Sequence, residues 1–260
     1  MSFAEPSRRQ ILRCLAVTAP LAAILADPDL ARAAAAGLED VSLQTAGGKK
    51  VHASLALPAN TPAPGVVLIH EWWGLNDQIK AVAGELARQG YVALAVELYD
   101  GNVATTSEEA DRLRKGVDAA VATDTLVSWV EWLRKHPKGT GKVATVGWCF
   151  GGGWSLNASM ATPVNATIIY YGRVDQPAPR LARLQGPVLG HFATRDQSIN
   201  RPMVEGFEKA MAEAGKPLTV YWYEADHAFA NPTGARYDAE DAKLAWERSL
   251  SFLRANLLKG

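Results

Sequence analysis

The sequence predicts a three-layer α/β fold: a mixed, mostly parallel sheet of about eight strands with helices on both faces. Three observations carry this. Strand-like runs alternate with helical patterns from Glu39 onward, two of those runs are apolar almost throughout, and a Gly-x-Cys-x-Gly turn joins a strand directly to a helix. DVSLQT (residues 40–45) and KVHASLAL (50–57) alternate apolar with polar residues, as an antiparallel pair at a sheet edge does. GVVLIH (65–70) and YVALAVEL (91–98) are continuous enough to be strands covered on both faces. Between them, Ile79, Val82, Ala83, Leu86 and Ala87 trace one helical face and Gly90 stops it, which completes a βαβ unit.

The alternation continues. Helical material from Thr106 through Leu133 leads over the HPKGTG turn into the strand KVATVG (142–147). GGWSLNASMA is the next helix, NATIIYYG a strand and GPVLGHFATRD another. Met203, Val204, Phe207 and Met211 share a helix face, LTVYWYEADH is the last strand, and a long helix runs to about Leu257.

A chain of 260 residues with 48% hydrophobic and 21% charged residues suits one full-sized domain and excludes a disordered, collagenous or coiled-coil chain. Its 27 basic residues offset 27 acidic ones, so no global field exists to hold nucleic acid or an anionic membrane. Cys14 and Cys149 have no CxxC spacing and are too few for a disulfide framework.

The first stretch differs from the rest. Arg8 and Arg9 precede an apolar run from Cys14 to Ala26, which resembles a twin-arginine export leader with small residues for cleavage at Ala33 to Ala36. Residues 1–36 are therefore read as a leader or a helical extension, and 37–260 as the folded domain. Use of the leader would place the protein in the periplasm; without it the protein is cytoplasmic. The run is too short to span a bilayer and is interrupted by Asp27 and Asp29, so no stable membrane insertion is expected.

In open α/β sheets, ligands bind beyond the carboxyl ends of the strands. Cys149 occupies such a position in Gly147-Trp148-Cys149-Phe150-Gly151, where a sharp turn lifts the side chain above the sheet and the following helix directs its first N–H groups at developing negative charge. A cysteine nucleophile needs a base. His227 is the histidine that follows the elbow at a strand's carboxyl end, whereas His52 and His136 fall in a hairpin and a surface turn and His191 lies inside its strand. Asp196 is the preferred orienting acid, with Asp226 its rival. Trp72, Trp73, Trp148 and Trp154 cluster near the rim and are candidates for an apolar pocket wall. The His70-Glu71-Trp72-Trp73-Gly74 run lacks the second histidine of a zinc-protease helix, and GTGK lacks the remainder of a phosphate loop, so neither a metal nor an organic cofactor is expected.

HEWWGLNDQI, ELYDG, GWCFGG, the Arg195-Asp196 pair and DHAFAN around His227 together resemble the dienelactone hydrolase family, carboxymethylenebutenolidase-like α/β-hydrolases with a cysteine nucleophile. The resemblance implies Cys149 as nucleophile, Asp196 as orienting acid, His227 as base, and Glu71 as a carboxylate that contacts the resting thiol. It also implies backbone N–H groups of Trp72 and Phe150 as oxyanion donors and Tyr99 as a pocket residue. The family's two carboxylate-gripping arginines are replaced by Gly101 and Asn231, so a changed substrate is expected. The expected pocket comprises Tyr99, Trp73, Trp148 and Asn231, and the expected partner is a small ester or lactone bound by a monomer or weak dimer. A thiol-dependent acyltransferase and a non-catalytic binding protein on the same fold are the alternatives.

Overall fold

The computed structural model describes residues 19–258; Arg8, Arg9 and Cys14 lie outside the described residues. Eight strands form one sheet in the order β1-β2-β4-β3-β5-β6-β7-β8. They are β1 (Glu39–Gln44), β2 (Lys50–Ala56), β3 (Ala63–Ile69), β4 (Val92–Val96), β5 (Gly139–Trp148), β6 (Ala166–Tyr170), β7 (Val188–Ala193) and β8 (Leu218–Tyr223). β2 pairs antiparallel with both β1 and β4, and every pairing from β4 across to β8 is parallel. The polar–apolar alternation of the first two runs thus marks the edge and the continuous apolar runs mark the interior, because only interior strands bury both faces.

Alternate residues of each strand feed opposite layers. Val66, Leu68, Ala93, Ala95, Ala144 and Val146 pack with Val82 and Leu86 of the helix Asp77–Arg88 and with Leu250 and Leu253 of the C-terminal helix Ala239–Leu253. Val67, Ile69, Leu94 and Val143 face Leu126, Val130 and Leu133 of the helix Ala119–Arg134. A third cluster joins Ile169, Val188 and Phe192 to Val204, Phe207 and Met211 of the helix Arg201–Glu213.

Two helical expectations are corrected. The stretch from Thr106 to Leu133 is two helices, Ser107–Lys115 and Ala119–Arg134: Gly116 terminates the first, and the Asp118 carboxylate accepts the Ala120 and Val121 N–H groups to start the second. The last helix ends at Leu253 and continues as a π-helical turn over Arg254–Leu258.

Ahead of the sheet, Leu21–Ala26 and Pro28–Ala35 are short helices joined at Asp27, whose side chain caps the second through Asp29 and Leu30. They lie on the helix Asp77–Arg88, where Ile24 and Ala31 are fully or almost fully buried and Gln78 Nε2 donates to the Leu25 carbonyl at 2.9 Å. Burying an isoleucine is worth ~1.5–3 kcal/mol. Among the described residues, no helix is long and apolar enough to cross a membrane.

Candidate active site

β5 ends at Trp148 and the helix Phe150–Ala161 begins one residue later, leaving Cys149 at φ +52° and ψ −115°. A residue with a side chain tolerates that conformation only where its surroundings enforce it. Here the enforcement is close backbone packing: a Cβ on Gly147 would lie 2.0 Å from the Gly151 carbonyl oxygen, and one on Gly151 would lie 2.2 Å from that of Ile69. The glycines let strand and helix pass at contact distance, and the cysteine is lifted to the carboxyl end of the parallel strands.

His227 follows β8 and meets Cys149 there. Its Nε2 is 3.1 Å from Cys149 Sγ, and its Nδ1 is 2.5 Å from Asp196 Oδ2. Asp196 follows β7 in a turn in which its Oδ1 accepts the Ser198 N–H at 2.8 Å and the Ile199 N–H at 2.9 Å. One oxygen is thereby held by the backbone while the other faces the imidazole. Asp226 points elsewhere, toward Arg195 Nε at 3.3 Å on the surface.

Burial disfavours a charged His227, but the bonds to Asp196 and Cys149 outweigh it and hold the imidazole up to about 10. Burial likewise opposes ionisation of Asp196, yet the imidazole and the two backbone amides hold its carboxyl below the usual range. The group is built to keep positive charge on the histidine between a carboxylate and a sulfur.

Glu71 lies just beyond β3, buried, with Oε1 accepting from the Tyr171 hydroxyl at 3.2 Å and Oε2 from Asn231 Nδ2 at 2.7 Å. Burial pushes its carboxyl up, against the opposing effect of those two donors. The contact to the resting thiol implied by the resemblance is not made: both Glu71 oxygens are taken up by Tyr171 and Asn231, and the hydrogen-bond partner of Sγ is His227.

Trp72 and Phe150 are half-buried on the two segments that flank Cys149. Among the described residues, neither backbone N–H is used in a hydrogen bond to another backbone group outside regular elements. Phe150 is the first residue of its helix, where an N–H has no partner within the helix. Tyr99 is buried with its hydroxyl unpartnered among the described residues, its ring packed on His70 at 4.7 Å and on Phe150 at 5.4 Å.

The four expected pocket residues have different surroundings. Trp148 and Asn231 line a cavity of about 520 Å³, Tyr99 lines another of about 550 Å³, and Trp73 packs edge-on against Trp72. The reason is side-chain direction. Trp148 turns toward the layer of the N- and C-terminal helices and stacks on Tyr170, whereas Tyr99 leans on His70 and Phe150.

His70 and His191 serve the structure. His70 Nδ1 bonds the Glu71 carbonyl at 2.6 Å and its Nε2 accepts the Leu98 N–H, so it fixes the backbone beside Glu71; burial lowers it to about 4. His191 bridges the Tyr223 and Ser249 hydroxyls, and burial lowers it to about 3. Among the described residues, no group of three or more His, Cys, Asp or Glu could hold a metal.

Tyr171 is the residue that sequence reasoning left without a role. It follows β6 at φ +36°, gives its hydroxyl to Glu71, and packs its ring edge-on to His227 at 5.2 Å. Its position directly after a strand was the available signal. Arg236, also unassigned, acts through its charge on Glu71.

A mostly parallel sheet carrying a tight strand–turn–helix elbow, with an Asp–His pair beyond later strands, defines an α/β-hydrolase. Comparison with known proteins narrows the class. The family model for the dienelactone hydrolase family matches residues 51–257. A carboxymethylenebutenolidase of Pseudomonas putida is 30% identical over 230 residues, covering 83% of this chain and 95% of its own. A Saccharolobus solfataricus protein provisionally given the same name is 31% identical, covering 80% of this chain and 95% of its own. A solved Klebsiella pneumoniae structure, provisionally named a dienelactone hydrolase, superposes with a TM-score of 0.74 at 27% identity over 83% of this chain and 98% of that one. The chain belongs to the dienelactone hydrolase family.

Proposed function

We propose that the protein is a cysteine-nucleophile hydrolase that cleaves uncharged esters or lactones through a thioester acyl-enzyme. The observation that carries the reading is the continuous line Asp196–His227–Cys149, with spacings of 2.5 Å and 3.1 Å, on an elbow that exposes the sulfur beside the start of a helix.

The Sγ proton passes to His227 Nε2, and the imidazolium is stabilised by Asp196. The thiolate attacks the carbonyl carbon, whose oxygen becomes an oxyanion accepting from the Trp72 and Phe150 N–H groups. Collapse of the tetrahedral intermediate breaks the carbon–oxygen bond, and the leaving alkoxide takes the proton from His227. In a lactone that oxygen stays tethered to the acyl group. His227 then removes a proton from water, the hydroxide attacks the thioester, and the second collapse expels the Cys149 thiolate and frees the acid.

Electrostatics favour an uncharged substrate. Gly101 and Asn231 stand where the resemblance calls for arginines, and Asn231 spends its amide on Glu71. The neighbouring arginines have acidic partners: Arg173 makes two bonds of 2.7 and 2.6 Å to Asp175, and Arg195 faces Asp226. The test is hydrolysis of p-nitrophenyl acetate and of a neutral lactone by wild type and by Cys149→Ala. A loss of at least ~10³ in kcat with an unchanged circular dichroism spectrum supports the reading. Retention of a tenth of the turnover contradicts it.

A further inference from the structure

His70 is fully buried just beyond β3, and its two ring nitrogens tie the end of that strand to the end of β4. The N–H of Leu98, two residues past β4, donates to Nε2 at 3.2 Å. A backbone N–H can only donate, so Nε2 is the acceptor and the ring proton sits on Nδ1. Nδ1 therefore donates to the Glu71 carbonyl oxygen, 2.6 Å away. The same oxygen accepts the Gly74 N–H at 3.2 Å, and the imidazole stacks on the Phe150 ring, with centroids 5.8 Å apart and 21° between the planes. The neutral ring that these bonds require is also the form that burial favours, which holds His70 down at about 4.

The Glu71 carbonyl and the Trp72 N–H belong to one peptide group. That group is planar and trans, so its oxygen and its hydrogen point in opposite directions. Two donors fix the oxygen, which turns the Trp72 N–H to the opposite side, where it has no hydrogen-bond partner among the described residues. This peptide lies beside the elbow in space. Ile69 pairs with Gly147 across β3 and β5, a Cβ on Gly151 would lie 2.5 Å from the His70 carbonyl oxygen, and Glu71 feels the charge of His227. Tyr171 and Asn231 hold the Glu71 carboxylate, so rotation of the Glu71–Trp72 peptide between its flanking bonds is the freedom that remains, and His70 restrains it.

We infer that His70 is the positioning residue of the oxyanion hole: its Nδ1–H, bonded to the Glu71 carbonyl, aims the Trp72 N–H at the oxyanion formed when Cys149 attacks. This rests on the cysteine-hydrolase reading and deepens it. Donors aimed in advance at developing charge stabilise it more than donors that must first turn, because nothing reorganises at the moment of reaction. The ring contact also gives His70 a hold on Phe150, which carries the second donor. The ring nitrogens of His70 bond neither Cys149 nor His227, so its effect passes through the peptide. A reaction of the sulfur that develops no oxyanion does not need it.

The test separates the two ring bonds in the full chain. In His70→Asn the amide nitrogen hangs on Cγ, as Nδ1 does, and can still donate to the Glu71 carbonyl, while the Leu98 N–H loses its acceptor. In His70→Gln the longer side chain can still accept from Leu98, while the Glu71 carbonyl loses its donor. With p-nitrophenyl acetate, His70→Gln should lower kcat by roughly 10² with KM within about threefold, and His70→Asn should stay within about fivefold of wild type. Alkylation of Cys149 by iodoacetamide, a displacement at saturated carbon, should stay within about twofold in both variants. A merely structural role predicts equal losses in step with Tm. Equal losses, a parallel loss of alkylation, or an undiminished kcat in folded His70→Gln overturns the proposal. Benzyl trifluoromethyl ketone reads the same donor without turnover: Sγ adds to the carbonyl carbon, the thiol proton passes to His227, and the carbonyl oxygen becomes the oxyanion. Fluorine NMR should show this adduct weakened at least ~10-fold in His70→Gln and less than about threefold in His70→Asn. A wild type that forms the adduct yet cleaves no ester fails the hydrolase reading alone, whereas a wild type that forms no adduct overturns the proposal. If neither variant folds, nitrogen NMR of the wild-type histidines decides: a proton on His70 Nδ1 supports the positioning role, and a proton on Nε2 overturns it.

Discussion

Replacing Asp196 with asparagine isolates the element on which the proposed proton transfers depend. His227 is held at about 10 against an ordinary value of 6.5, a net stabilisation of the imidazolium on the order of 5 kcal/mol supplied jointly by Asp196 and Cys149 against the cost of burial. Asp196→Asn removes the carboxylate charge at the shorter of the two contacts, 2.5 Å. Loss of that charge weakens the imidazolium that forms on proton transfer. The asparagine amide can also donate to Nδ1, which leaves the proton on Nε2 and removes the acceptor that Cys149 needs; together these give an expected fall in kcat of ~10³–10⁴. The pH dependence has a definite sign. A raised histidine contributes stability that is complete below 6.5 and is lost as pH rises through about 10, so the wild-type Tm should fall as the pH is taken from 6.5 toward 10. In Asp196→Asn the histidine loses its carboxylate partner, so that decline should begin at lower pH and be smaller. Asp226→Asn, which touches only Arg195, is the control and should leave kcat within about twofold. If Asp196→Asn keeps more than a tenth of wild-type turnover with an unchanged dependence of Tm on pH, the orienting role assigned to Asp196 is wrong.

Gly151→Ala sets a Cβ 2.2 Å from the Ile69 carbonyl oxygen, a backbone atom in the sheet that cannot rotate away. It should cost ~3 kcal/mol or more and lower Tm by roughly 6–12 °C in calorimetry; a Tm within about 2 °C of wild type would refute close packing at the elbow. Dienelactone should be a poorer substrate by kcat/KM than an uncharged lactone of similar size, because Asn231 is bonded to Glu71 and Arg173 and Arg195 face acids. A strong preference for dienelactone that is lost in Arg236→Ala would show that the cation acting on Glu71 is a substrate clamp instead.

Much of this arrangement was written locally in the chain. Strand β3 reads as apolar throughout because Val66 and Leu68 feed one layer while Val67 and Ile69 feed the other, and β2 alternates in its outer half because it borders the edge. Cys149, Asp196 and His227 are legible for a related reason: each follows a parallel strand, and such strands deliver their next residues to one rim. The features that escaped depend on contacts distant in sequence. Glu71 meets Asn231 across 160 positions and Tyr171 across 100, and no local pattern indicates that an amide in the position of an expected arginine would bind a carboxylate of the protein itself. The break at Gly116 to Asp118 was visible as a helix stop followed by a cap, but the apolar spacing on either side masked it. The cavity of about 520 Å³ escaped for the same reason as the Glu71 contacts, since its walls come from residues near 20, 80, 150 and 240.

The central claim is a covalent bond between an acyl group and Cys149, and rapid-quench mass spectrometry measures it directly. Mixed with p-nitrophenyl octanoate and quenched in acid within the first turnover, the protein should gain the mass of one octanoyl group, located on the peptide that contains Cys149. The adduct should be sensitive to hydroxylamine and should persist longer in a His227→Ala variant that has been acylated, because water is then no longer activated. Ester cleavage that proceeds with no adduct, or with the octanoyl group on another residue, contradicts the mechanism.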